Sequence, residues 1–175
     1  LIPRERYYEE PYIFCYFLGN NPKHREFVKR IRDKTGYKIV QLQHCDEYIK
    51  SDEGFPDKTP WKVGPFEFIQ LIRDAKIVCT DSFHCSVFSM LQQKKFFSFR
   101  RYRNDGKVST NGRLYSLRSS VRLSDRLISG QENVGDLLQR EINYEDVLKC
   151  LAQQRKKAWD WIEGTLKGIN CYDRD

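Results

Sequence analysis

The sequence predicts an α/β protein, in which a parallel sheet is flanked by helices and followed by a long C-terminal helix. Three observations predict it. Short stretches of strand-forming residues, apolar almost throughout, recur at 12–18, 37–42, 76–80 and 95–99, as strands covered on both faces require. Amphipathic segments of helical period separate most of them. The 143–169 segment then carries apolar residues at helical spacing over more than seven turns.

The elements follow in order. Residues 12–18 (YIFCYFL) are bounded by Pro11 and the Gly19-Asn20-Asn21-Pro22 turn and read as the first strand. A helix over 23–34 turns Phe27, Val28 and Ile31 to one side, with Gly36 as its stop. Residues 37–42 (YKIVQL) form a second strand. The stretch 43–63 is polar and rich in Pro, Gly and Asp, which predicts a long loop with room for one helical turn. Gly64 and Pro65 open a helix through Ala75, with Pro65 at the first helical position and Phe68, Ile69 and Ile72 facing inward. A third strand, 76–80 (KIVCT), leads into a helix over 82–93 that packs through Phe83, Val87, Phe88 and Leu91. The fourth strand is 95–99 (KFFSF), and 111–120 is a short helix. In the last helix Val147, Leu148, Leu151, Ala158, Ile162, Leu166 and Ile169 mark the apolar stripe. Strand–helix alternation of this kind gives a Rossmann-like parallel sheet of βαβ units. A GxGxxG fingerprint is missing after the first strand, so no dinucleotide cofactor is expected.

Composition narrows the function classes. The 175 residues suit one domain, and 24 aromatic side chains are more than a solvated chain carries. No run approaches the ~20 apolar residues of a membrane span, and the start lacks a secretory pattern. The expected compartment is the cytoplasm. The chain begins at Leu1 without methionine, and a preceding segment is expected. Six cysteines are scattered with neither a CxxC pair nor a histidine at metal-ligand spacing, so they read as reduced and structural, with no metal site. Net charge is +7, and it is concentrated. Between Lys94 and Arg126 ten basic residues face two acidic ones, Asp105 and Asp125. Such a region implies an anionic partner, or else a solvated basic face.

Candidate chemistry collects where the third strand meets the next helix, at Thr80-Asp81-Ser82-Phe83-His84. Ligands of open parallel sheets gather beyond the carboxyl ends of the strands, and a helix starting there aims backbone N–H groups at them. Two readings stay open for each residue. Asp81 and Ser82 either cap the helix or contact a ligand. His84 is either a partly buried histidine satisfied by the backbone or a group that meets an oxyanion and transfers a proton.

The run from Gly64 to Ser89 (GPFEFIQLIRDAKIVCTDSFHCSVFS) resembles the C-terminal half of the polysaccharide pyruvyl transferase family. Downstream, 110–117 (TNGRLYSL) and 123–128 (LSDRLI) resemble two further segments of that family, in the right order. The resemblance extends from about residue 12 to 166 and is most specific between 64 and 99. It implies a two-domain, GT-B-like bacterial enzyme of exopolysaccharide biosynthesis, of which this chain is the C-terminal half. The missing N-terminal domain of the same chain would supply the other wall of the cleft, so the chain alone is expected to be inactive. The implied reaction moves a pyruvyl group from phosphoenolpyruvate, or a similar anionic donor, onto a sugar acceptor such as a polysaccharide or lipid-linked oligosaccharide. Carried over by position, His84 is the implied catalytic histidine, with Asp81, Ser82 and Phe83 beside it in the donor site. Asn111 and Arg113 fall in the second motif, where a guanidinium suits a phosphate or carboxylate. Two positions depart from the pattern: Ser82 stands where many members carry arginine, and Cys85 where a glycine is usual. Two other classes compete with this one. A GT-B donor domain for a nucleotide sugar shares the fold. A nucleic-acid module built on the basic stretch ranks last, because three of its five aromatics, Phe96, Phe97 and Phe99, fall in a buried strand.

Overall fold

The computed structural model describes residues 4–43, 48–100 and 111–169. Among these, β1 is Tyr12–Tyr16, α1 Pro22–Thr35, β2 Lys38–Gln41, α2 Pro65–Asp74, β3 Ile77–Thr80, α3 Phe83–Leu91 and β4 Lys95–Phe99. The chain continues through α4 (Asn111–Ser120), β5 (Leu127–Ile128), α5 (Val134–Gln139) and α6 (Tyr144–Ile169). Single 3₁₀ turns stand at Lys50–Asp52 and Ser124–Arg126. The strands form one sheet in the order β2-β1-β3-β4-β5, and every pairing is parallel. The predicted fold class holds: a parallel sheet flanked by helices, with a long C-terminal helix. The strand order reverses between β1 and β3, which makes their carboxyl ends the switch point of the sheet.

Alternation along β1 builds both faces of the core. Ile13, Cys15 and Phe17 pack with Phe27, Val28 and Ile31 of α1 and with Val134 and Leu137 of α5. Tyr12 and Phe14 face the other way, toward Leu71 and Ile72 of α2, Cys85 and Met90 of α3, and Val147 of α6. Cys15, Cys79 and Cys85 are free and buried, as the scattered cysteines predicted, while Cys45 and Cys171 lie outside the described residues. Burial pushes the Cys85 thiol up to about 12, and Cys15 and Cys79 are also raised, which leaves them inert hydrophobes at neutral pH.

Several ends differ from expectation for local reasons. β1 stops at Tyr16, and beyond it the N–H groups of Leu18 and Gly19 turn away from the ladder to the side chain of the residue that follows β3. α1 runs from its cap at Asn21, which accepts from the Lys23 N–H, to Gly36, whose left-handed φ of 72° carries its N–H back to Arg32 O at 2.7 Å. α3 ends at Leu91, and Gln93 with φ 52° turns the chain into β4. Along the outer edge of β2, residues 57–58 run parallel to it, with Lys58 O accepting from Gln41 N and Lys58 N donating to Ile39 O, both at 3.0 Å. β5 and α5 escaped prediction, since two and six residues carry no usable period. Beyond its first turns α6 leaves the core. Val147 is buried, but Ala158, Trp159, Trp161 and Leu166 of the remaining turns are exposed.

The first turn of α1 is more deeply buried than an amphipathic reading implies. Arg25 is 2% exposed, donates from Nε to Asp52 (2.8 Å) and from Nη1 to Gly19 O (2.7 Å), and stands over the Phe17 ring. It thereby ties the 43–63 loop to the turn after β1. His24 is 1% exposed and packs against Phe99 and Phe17. Its Nε2 lies 3.2 Å from the Asn21 amide nitrogen, and its Nδ1 has no partner among the described residues. Burial first, then the neighbouring Arg25 charge, lowers the His24 pKa to about 4.

The unfolded chain therefore takes up a proton on His24 near pH 6.5 that the folded chain refuses until about pH 4. Stability attributable to this residue is complete above that window and falls as pH drops through it, by about 3 kcal/mol at the acid end. Urea midpoints of the parent and His24→Phe between pH 7 and pH 4 check this. The parent is expected to lose more stability on acidification than the variant.

Candidate functional site

The carboxyl ends of β1 and β3 are locked together by three consecutive residues. Thr80 Oγ1 donates to Tyr16 O at 2.5 Å and accepts from Ser82 N at 3.0 Å. The Asp81 carboxylate, 1% exposed, accepts from Leu18 N at 2.7 Å and Gly19 N at 2.9 Å. Ser82 is the cap of α3, with Oγ accepting from Cys85 N at 3.4 Å. Its carbonyl oxygen accepts from Ser86 N and Ser86 Oγ, and Ser86 in turn meets Ser98 on β4 at 2.7 Å. Asp81 and Ser82 thus build the turn, each with its side chain directed at backbone.

His84 occupies the first turn of α3 and is exposed. Of the two readings open for it, the buried, backbone-held histidine does not describe this position. Phe83 is half-buried, and its ring stands edge-on to the imidazole at 5.6 Å. The site therefore presents an imidazole on the rim of a rigid turn, next to the positive end of a nine-residue helix. Asn111 and Arg113 fall in the first turn of α4, but their side chains lie outside the described residues, as does the whole connection 101–110.

The basic stretch is only partly a surface feature. Lys94 Nζ donates to Arg73 O at 2.8 Å, and Lys95 Nζ donates to Leu138 O and to Glu141, both at 2.7 Å. Arg126, the arginine of the third motif, is 2% exposed and donates from Nη2 to Arg140 O and Glu141 O, both at 3.0 Å. By sequence these residues are potential anion ligands. Three of the ten instead hold β4, β5 and the α5–α6 connection in place.

His24, Arg25 and Trp61 lie outside the residues that the sequence singles out. The signal for His24 was present, since 24, 27, 28 and 31 form one helical face. Among the described residues no group of three His, Cys, Asp or Glu is arranged to hold a metal ion, and no helix is long and apolar enough to cross a membrane.

The polysaccharide pyruvyl transferase family profile matches residues 2–102. The curated proteins give no match. Among solved structures, the UDP-GlcNAc 2-epimerase from Methanocaldococcus jannaschii superposes with a TM-score of 0.51 at 15% identity, over 83% of this chain and 39% of that one. A putative UDP-N-acetylglucosamine 2-epimerase from Listeria monocytogenes gives 0.50 at 11%, over 88% and 41%. The glycotransferase of kitacinnamycin gives 0.51 at 13%, over 93% and 47%. At these identities the likeness is one of fold, of the GT-B-like kind, and the chain spans less than half the length of each neighbour.

Replacing Asp81 by alanine leaves two backbone N–H groups at the switch point without their acceptor. Asp81→Ala is expected to cost about 2–4 kcal/mol, and Asp81→Asn, which keeps one acceptor oxygen, less. His84→Ala, on the exposed rim, is expected to stay within about 0.5 kcal/mol of the parent. Urea denaturation of the three variants measures all of this.

Proposed function

Because the chain belongs to the polysaccharide pyruvyl transferase family, we propose that it forms the donor-binding wall of an enzyme that moves a pyruvyl group from phosphoenolpyruvate to a sugar. The observation that carries the reading is the exposed His84 on the first turn of α3, beside the switch point of a parallel sheet. A donor with a phosphate and a carboxylate needs fixed positive potential, and a helix N-terminus supplies part of it. Arg113, which follows β4 in the chain, is the proposed cationic partner, with Asn111 beside it. Asp81 and Ser82 serve the donor by holding the turn, and Phe83 flanks the imidazole.

The chemistry suits a proton donor at that rim. Protonation of the donor's methylene carbon by His84 makes the adjacent carbon electrophilic. A first sugar hydroxyl then bonds to that carbon and loses its proton to a base. A second hydroxyl gives its proton to a base and displaces phosphate, which leaves with the electrons of its C–O bond, and a cyclic ketal results. The acceptor, a polysaccharide or lipid-linked oligosaccharide, approaches from a second domain of the same protein, and the cytoplasm is the proposed compartment. Ser82, where arginine is frequent in the family, leaves one cation fewer at the donor and places more of the burden on Arg113.

Calorimetric titration with phosphoenolpyruvate tests this, with UDP as the competing ligand of a nucleotide-sugar enzyme. His84→Ala is expected to weaken phosphoenolpyruvate binding about tenfold, the loss of one charge-assisted contact, while urea stability stays unchanged. Binding of UDP in place of phosphoenolpyruvate, or an affinity indifferent to His84→Ala, would overturn the reading. The chain alone is expected to make no pyruvylated sugar, since it provides one wall of the cleft.

A further inference from the structure

Two strands away from His84, the same edge of the sheet carries a second feature. Leu42 and Gln43 follow β2 directly, and residues 59–63 continue from the segment that pairs alongside β2. Together they enclose a cavity of about 390 Å³, within the size range of small-ligand sites. Its walls are mainly apolar, from Leu42, Pro60, Trp61 and Val63, with Gln43 and Lys62 as polar neighbours. Pro60 is buried, yet Trp61 beside it is 79% exposed. An indole next to a cavity and facing solvent offers a flat face that the core does not use. Lys62 is held at φ 56°, a left-handed conformation that few residues other than glycine adopt. Such local strain recurs where chains clamp ligands.

We infer that this cavity is a sugar subsite, in which a pyranose ring lies against the Trp61 indole while Gln43 and Lys62 hydrogen-bond its hydroxyls. The inference rests on the proposed sugar chemistry and names the element that would recognise the ring. A pyranose has one face of C–H groups and a rim of hydroxyls, which matches an aromatic plane bordered by an amide and an ammonium group. Position supports the assignment. With strands about 4.8 Å apart, the ends of β2 and β3 are separated by about 10 Å. The cavity and the His84 rim therefore share the carboxyl edge of one sheet, two strands apart. Trp61 contributes recognition only, since it carries no group able to transfer a proton at neutral pH.

Saturation-transfer NMR with methyl glucoside, galactoside and mannoside tests the subsite on the parent, Trp61→Ala and Trp61→Phe, with uridine as the rival flat ring. At least one pyranoside is expected to receive saturation from the parent, to lose about fivefold or more in affinity with Trp61→Ala, and to keep most of it with Trp61→Phe. Phosphoenolpyruvate titrated against Trp61→Ala is expected to bind as it does to the parent, which shows that the fold and the His84 rim are intact. Absence of any pyranoside signal, a signal indifferent to Trp61→Ala, or a Trp61-dependent signal from uridine alone overturns the inference. Loss of the subsite with intact phosphoenolpyruvate binding removes this inference only. Failure of phosphoenolpyruvate to bind the parent, with pyranosides bound at Trp61, removes the proposed donor and leaves the subsite standing.

Discussion

The grip of the Asp81 carboxylate on Leu18 and Gly19 is the constraint from which the carboxyl edge of this sheet is built. Two N–H groups at the end of a buried strand need acceptors, and no sheet partner reaches them once β1 ends. The carboxylate of Asp81, just past the end of the neighbouring strand, satisfies both. That choice bends the chain out of the sheet and sets Gly19 O where Arg25 can donate to it. Arg25 then reaches Asp52, so the long loop after β2 is anchored through a residue two elements away. Ser82, the next residue after Asp81, caps α3 and thereby fixes the orientation of His84. Site and scaffold share one hydrogen-bonding cluster, so a substitution meant to probe chemistry at Asp81 perturbs stability first.

Much of this architecture is legible in the sequence. β4 and α4 begin and end as expected, and β3 and α2 differ by a residue at one end, because apolar runs and a proline at the first helical turn are strong local signals. The switch point follows from the strand order, which a one-dimensional pattern does not contain. β5 is too short for a periodic signal and exists because buried Arg126 fastens the preceding turn to the backbone at 140–141. The exposure of His84 was open on spacing alone, since a first-turn residue of a helix points inward or outward according to a helical phase that the tertiary packing sets. Trp61 lay in a stretch read as loop, where an aromatic residue has no period to betray it.

Charge shows the same limit in another form. The excess of basic residues between 94 and 126 is a fact of composition, but three of those residues donate to carbonyl oxygens within the fold. A linear count treats every lysine and arginine as available to a partner. Folding removes those whose stems are needed for packing and whose heads close gaps between elements. What the count does identify is the region where the sheet's last strands are assembled.

The segment beside β2 has a consequence for how the molecule behaves in company. An exposed strand edge is a template on which another chain can grow a sheet, and open parallel sheets have two such edges. Here one edge is partly occupied by residues 57–58. On the opposite side the edge strand β5 is two residues long and pairs with Ser98 and Phe99 alone, while Phe96 and Phe97 of β4 are fully buried by packing. Both margins of the sheet are thus blunted by different means. Resistance to edge-to-edge aggregation is built into the topology, independently of the surface charge.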